Sequence, residues 1–156
     1  GKVQVRAKLK AADGAWPAIW MLGEQGHYPK NGEIDLMERL NFQKKIYHTV
    51  HSPYTQVDKT NTPRKYNTVQ TNPDTWNTYG CEWDADKIVF TVNNKPTHTY
   101  PRVPKLGKDQ WPFDKPFYFI LSMQIGGGWV NSKVATNPEH YPADMQIDWV
   151  RVYQKK

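Results

Sequence analysis

Glu33-Ile34-Asp35-Leu36-Met37-Glu38 places three carboxylates in a run of six residues that is otherwise apolar. A strand sends alternate side chains to opposite faces. Glu33 and Asp35 therefore share a face, while Ile34 and Leu36 enter the opposite layer. Strict alternation would send Glu38 with Ile34. One extra residue near Met37, a β-bulge, returns Glu38 to the face of the other two acids. Three acids on one face repel each other, so a chain that keeps them uses them for acid/base chemistry or for a metal. Four effective strand steps of ~3.3 Å separate the two glutamate backbones by roughly 13 Å. Inward-leaning side chains then bring the carboxyls within about 5–6 Å, the spacing of a retaining glycosidase pair. Asp35 between them splits their proton affinities, so that one stays ionised as nucleophile and the other is protonated as acid.

Just upstream, Gly14-Ala15-Trp16-Pro17-Ala18-Ile19-Trp20-Met21-Leu22 reads as another strand. Trp16, Ala18 and Trp20 share one face at period two, which leaves a slot floored by two indoles. Flat apolar sugar faces stack on such rings, and their hydroxyls seek polar groups at the edges. Two indoles buried in a sandwich core would give the same pattern, and the residues alone leave both readings open.

These segments resemble family 16 of the glycoside hydrolases. The resemblance rests on Trp16-Pro17-Ala18-Ile19-Trp20-Met21-Leu22, Gly32-Glu33-Ile34-Asp35-Leu36-Met37-Glu38 and Thr49-Val50-His51. It extends through Tyr79-Gly80-Cys81-Glu82-Trp83, Ile88-Val89-Phe90, Gly126-Gly127 and Ile147-Asp148-Trp149-Val150-Arg151-Val152-Tyr153. The bulged acidic motif is similar to that of the laminarinase-like subgroup. The resemblance implies an all-β fold, a β-jelly-roll sandwich of two antiparallel sheets whose concave face is a glycan cleft. It implies Glu33 as nucleophile, Asp35 as assisting acid and Glu38 as general acid/base. It places His51 near the acid/base, where a hydrogen bond to Glu38 would tune that carboxyl. It also implies a possible structural calcium on the convex side, held by Asp148 and a backbone carbonyl at Gly1. An exposed strand aspartate would explain Asp148 equally well. No cofactor is implied for catalysis.

One segment departs from the subgroup's usual Asn-Leu-Ala-Val-Gly-Gly and reads Ser122-Met123-Gln124-Ile125-Gly126-Gly127. Ser122 and Gln124 share a face by alternation. If that face lines the cleft, both residues are substrate-binding and glucan specificity is not to be assumed. Trp129, beyond the glycines, either caps the cleft or anchors a loop. Arg39-Leu40-Asn41 and His51-Ser52-Pro53-Tyr54 also look unlike a laminarinase.

The remaining chain supports an all-β reading. It carries 7 Trp, 9 Tyr and 5 Phe with 12 Pro and 10 Gly in 156 residues, so strands punctuated by turns are expected. Candidate strands are Val3–Leu9, Ile46–His51, Trp76–Trp83, Lys87–Val92, Phe117–Gln124 and Met145–Tyr153, with a hairpin end at Val92-Asn93-Asn94-Lys95-Pro96. No stretch keeps a 3.6-residue apolar period, so little helix is expected. The sole cysteine, Cys81, reads as a buried structural thiol. His48 and His51 lie three apart, the wrong spacing for one face of a strand, so a zinc pair is not expected and His48 reads as structural.

Residues 1–156 read as a single catalytic domain lacking its N-terminal strands. Gly1-Lys2-Val3-Gln4-Val5-Arg6-Ala7-Lys8 corresponds to an internal strand of the family, and a sandwich without the preceding strands exposes edges and apolar inner faces. Those strands are expected to be unrecorded, cleaved off, or supplied by another chain. No apolar run is long enough to span a membrane. The net charge of +6 is scattered, including a Lys155-Lys156 tail, and no nucleic-acid motif accompanies it.

The expected activity is a retaining endo-β-glycosidase cutting internal linkages of an oligo- or polysaccharide. β-1,3- or mixed-linkage β-1,3-1,4-glucan comes first, and a β-galactoside in galactan or mucin-type O-glycans second. A noncatalytic glycan-binding relative and a transglycosylase are the further alternatives; the retained acids speak against the former, and the covalent intermediate is common to the latter. The expected location is secreted, periplasmic or cell-surface.

Overall fold

A computed structural model describes residues 1–130 and 138–154, and in it the alternating runs become strands. They are β1 (Lys2–Lys10), β2 (Ala15–Gly23), β3 (Glu33–Glu38), β4 (Lys45–His51), β5 (Tyr66–Gln70), β6 (Asn77–Trp83), β7 (Lys87–Val92), β8 (Lys95–Pro101), β9 (Phe117–Ile125) and β10 (Asp144–Tyr153). A short helix, α1 (Pro53–Val57), follows β4 and is capped by the Ser52 hydroxyl on the Thr55 N–H. The Lys155-Lys156 tail lies outside the described residues.

Among the described residues the strands form two five-stranded sheets, ordered β10-β1-β6-β7-β8 and β5-β4-β3-β2-β9. All their pairings are antiparallel. The all-β sandwich is therefore the architecture observed. Its core lies between the sheets, where Val3, Val5 and Leu9 of β1 meet Ile19 and Met21 of β2, Ile34 of β3 and Ile46 of β4. Cys81 is buried there, and burial pushes its thiol up to about 12. β7 and β8 join through Asn93 and Asn94, both at positive φ, in the hairpin that Asn-Asn favours.

Two strands escape the alternation argument. β5 carries a single aliphatic residue, Val69, because it is an edge strand with little to bury. β8 is mostly polar and sits at the matching edge of the other sheet.

At the opposite side, β9 and β10 leave free edges. Val150 and Val152 stand opposite the core residues Val5 and Val3, so they face inward, yet they are 42% and 63% exposed. Leu121, opposite Ile19, is 41% exposed. The apolar layer thus continues to an exposed margin along β9 and β10.

The calcium expectation fails on register. Lys2 pairs with Tyr153, whereas Asp148 lies at the bulge opposite Arg6 and Ala7. Gly1 is thus about five residues, roughly 17 Å, along the strand from Asp148. The Asp148 carboxylate is ion-paired with Arg6, and the Gly1 carbonyl accepts the Trp83 N–H at 2.9 Å. Gly1 and Asp148 do not form one site, and the residues present do not fit a calcium there.

Candidate active site

The bulge in β3 builds the site. On β4, Thr49 pairs with Asp35 and Tyr47 with Glu38, so Leu36 and Met37 together oppose the single residue His48. Leu36 and Met37 are both buried, and Glu38 returns to the face of Glu33 and Asp35. His48 fixes the bulge from the core side. Its Nδ1 lies 2.6 Å from the Leu36 carbonyl, which can only accept, so Nδ1 carries the proton. Burial lowers the His48 pKa to about 4, which keeps the ring neutral. Gly32, immediately before Glu33, has φ +76° and lies against Pro112 and Phe113; a side chain there would strain the backbone that delivers Glu33.

Each acid has its own surroundings. Glu38 accepts from Trp16 Nε1 at 3.0 Å and from the Thr49 hydroxyl at 3.4 Å. Glu33, Asp35 and His51 bring one ligand atom each within 4.8 Å of one another. Asp35 is buried, with its Oδ2 beside the His51 ring. Burial, reinforced by the Asp35 charge, raises Glu33 to about 8. Burial raises Glu38 to about 7, against the opposing pull of Trp16 and His51. Burial and the Glu38 charge lift Asp35 well above the usual carboxylate range. The three groups thus hold protons jointly near neutrality, and their titration steps belong to the cluster. Glu33, Asp35 and His51 are also a donor set suited to a divalent cation.

His51 departs from expectation. It pairs across the strands with Glu33, not with Glu38, and its Nε2 lies 3.2 Å from Asp35 Oδ2. Register decides this, because Glu38 stands opposite Tyr47. The ring's other nitrogen, Nδ1, is 3.1 Å from Gln56 Nε2, and the same amide donates to the Tyr28 hydroxyl at 2.9 Å. An amide N–H on Nδ1 leaves the ring proton on Nε2, facing Asp35. Gln56 lies on α1 and Tyr28 on the loop between β2 and β3. Neither residue has a sequence signal, because both arrive from outside the strands, one from a loop and one from a short helix.

Two cavities flank the acids. The larger, ≈ 560 Å³, is lined by Trp16, Glu33, Glu38, Tyr47, Thr49, His51, Tyr66 and Trp129. The smaller, ≈ 190 Å³, lies over β2 and β9 and is lined by Trp16, Ala18, Trp20, Glu33, Asp35, Glu38, Ser122 and Gln124. Trp16 and Trp20 therefore line the cleft and do not belong to the core. Trp20 Nε1 donates to the Ser122 hydroxyl at 3.1 Å, and the Gln124 amide donates to the Gly126 carbonyl at 2.9 Å. Trp129 is not a buried anchor: its ring meets Trp16 edge-on at 5.3 Å and Tyr47 at 4.9 Å, and it is 46% exposed. Tyr47, Thr49 and Tyr66 join the site through strand pairing and were not legible without the register of β4 and β5. Arg39, just after Glu38, is buried and ion-paired with Asp74 at 2.7 Å, so it braces the end of β3.

The model of the glycosyl hydrolases family 16 matches residues 1–151. A keratan-sulfate endo-1,4-beta-galactosidase of Sphingobacterium multivorum is 43% identical over 99% of this chain and 36% of its own length. A beta-glucanase of Rhodothermus marinus is 33% identical over 99% of this chain and 57% of its own. The crystal structure of a laminarinase from Flavobacterium sp. UMI-01 superposes with a TM-score of 0.87 at 31% identity, over 99% of this chain and 66% of that one. The chain thus spans between about a third and two thirds of the length of these three proteins. With the bulged acid strand at the floor of a cleft and a match running almost end to end, the chain belongs to family 16 of the glycosyl hydrolases.

Proposed function

We propose that the chain is the catalytic part of a retaining endo-β-glycanase. The observation that carries this reading is the return of Glu38, across the bulge, to the face of Glu33 on the floor of a cleft that continues to both sides. A cleft open on both sides of the acids admits a chain and favours internal cuts.

Glu33 attacks the anomeric carbon and forms a glycosyl-enzyme ester. Glu38 protonates the leaving oxygen, then deprotonates the water that releases the sugar. One proton shared by Glu33 and Asp35 reconciles this with the raised proton affinity of both. When the proton resides on Asp35, Glu33 is a carboxylate free to attack. His51 stands against the same pair and favours the ionised form of Glu33 and Glu38. Trp16 holds Glu38 through its indole N–H while offering its ring to the cleft.

The first substrate reading is β-1,3- or mixed-linkage glucan, supported by the bulged motif and by the beta-glucanase and laminarinase likenesses. The second is a β-galactoside. The keratan-sulfate endo-1,4-beta-galactosidase supports it, as do Ser122 and Gln124 in the smaller cavity. With its amide N–H engaged by Gly126, Gln124 keeps a carbonyl for an axial 4-hydroxyl. Reducing-end release from laminarin, mixed-linkage glucan, agarose-type galactan, keratan sulfate and mucin glycans tests both. Cleavage of the glucans with the galactosides untouched establishes the first; the reverse establishes the second. No cleavage of any β-glycan by a folded, complete protein removes the enzymatic reading. Transfer to a labelled sugar acceptor would mark a transglycosylase.

Action on a polysaccharide fits a secreted, periplasmic or surface location, and no helix of the described residues is long and apolar enough to cross a membrane. The exposed inner-face residues Leu121, Val150 and Val152 are covered, on this reading, by further strands of a longer chain. A separate chain supplying them finds no support in the matched proteins, each of which carries the matched region inside one longer chain. Thermal melting tests the cover: residues 1–156 alone should melt broadly or aggregate, and a longer version sharply. A sharp, reversible melt of the short chain would refute it.

A further inference from the structure

His51 ends β4, and α1 begins at Pro53. The corner between them is held tightly. The Ser52 hydroxyl accepts from the Thr55 N–H, and the Thr55 hydroxyl accepts from the Ser52 N–H. The Tyr54 N–H donates to the Asp109 carbonyl at 2.9 Å, which pins the first turn from outside. This turn brings Gln56 back to the ring of His51, five residues earlier. The Gln56 amide nitrogen lies 3.1 Å from His51 Nδ1 and 2.9 Å from the Tyr28 hydroxyl. Gln56 lines neither cavity, so it is not placed to hold a sugar in the cleft.

Through His51, Gln56 reaches the acids. Burial lowers the proton affinity of the His51 ring, so the ring is neutral and carries one proton. Its two contacts agree on where that proton lies. The amide N–H needs a bare Nδ1. Asp35 Oδ2 is enclosed, and among the described residues no donor bonds it from elsewhere, while His51 Nε2 stands 3.2 Å away. The ring proton therefore sits on Nε2, with Oδ2 as its acceptor. An oxygen that accepts from Nε2 has no proton of its own to offer it, so a proton that Asp35 shares with Glu33 sits on Oδ1. With the ring tautomer reversed, a bare Nε2 would accept from a protonated Oδ2 and withdraw that proton from exchange with Glu33. Resting on the proposal that Glu33 is the nucleophile and shares a proton with Asp35, we propose that Gln56 is a positioning residue: it fixes the tautomer of His51 and so keeps the shared proton between the two acids.

A cycle of variants in the complete protein tests it. Gln56→Leu keeps the size of the side chain and removes the donor. On whichever β-glycan is cut, it should lower kcat about tenfold, the worth of one hydrogen bond, with KM little changed. His51→Gln is slower in itself, but its amide N–H replaces the Nε2 donor and has no tautomer to fix. In that background Gln56→Leu should cost nothing further. An equal fall in both backgrounds, or no fall in either, overturns the role. Nitrogen NMR of protein isotopically labelled at histidine reads the tautomer directly, the His51 signals being those lost in His51→Gln. The expected result is a proton on Nε2 in the native protein and a mixture of tautomers in Gln56→Leu. A proton on Nδ1 in the native protein, or the same spectrum in both, overturns the assignment. The spectrum needs no turnover, so the tautomer is decided even if no glycan is cut, and failure of the hydrolase reading stays separate from failure of this one.

Discussion

The cleft is two unlike rooms that share one threshold, the acids of β3. On the β4–β5 side the cavity is wide, and its walls are rings: Tyr47, Tyr66, Trp129 and the outer face of Trp16. On the β2–β9 side it is narrow and holds Trp20 with two small polar groups, Ser122 and Gln124. Stacking tolerates any sugar with a flat apolar face, whereas a narrow site with few hydrogen-bond partners discriminates between epimers. The contrast assigns grip to the wide side and choice of sugar to the narrow one. The galactoside reading therefore stands or falls on the narrow side alone.

Changes at the threshold should abolish the contrast. Glu38→Gln should lower kcat by about 10²–10⁴-fold on every substrate, the usual worth of a positioned acid/base. Glu33→Gln should cost at least as much, because it removes the covalent step. Stopped assays with a leaving group that needs no protonation sharpen this further: Glu38→Gln should then recover much of its first step, and Glu33→Gln none.

The wide side is probed by ring removal. Tyr47→Ala or Tyr66→Ala should weaken binding by about 1–3 kcal/mol per lost stacking contact, by analogy with bases on aromatic platforms. The loss should appear as a rise in KM with melting temperature little changed. An unchanged KM would deny the wide side its role. Trp16→Phe should act differently, since it keeps a ring but removes the donor to Glu38; kcat and its pH profile should move more than KM.

On the narrow side, Gln124→Ala should change the ratio of galactoside to glucan cleavage by the worth of one hydrogen bond, about 0.5–1.5 kcal/mol. An unaltered ratio would show that Gln124 does not read the sugar. The smallest expected effect concerns stability. Burial lifts Glu33 to about 8 and Glu38 to about 7, above their ordinary values. At low pH both states are protonated and the cluster costs nothing. As pH rises, the unfolded chain ionises first, so stability is lost through the folded-state range. Glu33→Gln should therefore raise the melting temperature more at about pH 9 than at about pH 5. An equal shift at both would contradict the raised proton affinity.

Much of the threshold was legible because it lies on one strand, where period two and one bulge determine which side chains meet. The bulge itself could be read from the burial conflict: Leu36 and Met37 both belong to the core, so one residue must be surplus. The Trp16–Trp20 face was legible as a face, but not as cleft or core until β9 was placed beside it. Properties that depend on register were not legible. His51 meets Asp35, not Glu38, because it pairs with Glu33. Gly1 and Asp148, adjacent in expectation, lie far apart along β1 and β10. Tyr66 sits on an edge strand whose sequence has little alternation to betray it. Gln56 and Tyr28 converge from a short helix and a loop between strands, where sequence spacing carries no distance.

The central claim is that Glu33 and Glu38 act as nucleophile and acid/base across the bulge. Proton NMR of the first product released from a β-linked glycan tests it most directly, before the anomers equilibrate. Two inversions at one carbon predict the β anomer. An α anomer would mean that water, and not Glu33, attacks, and would contradict the account.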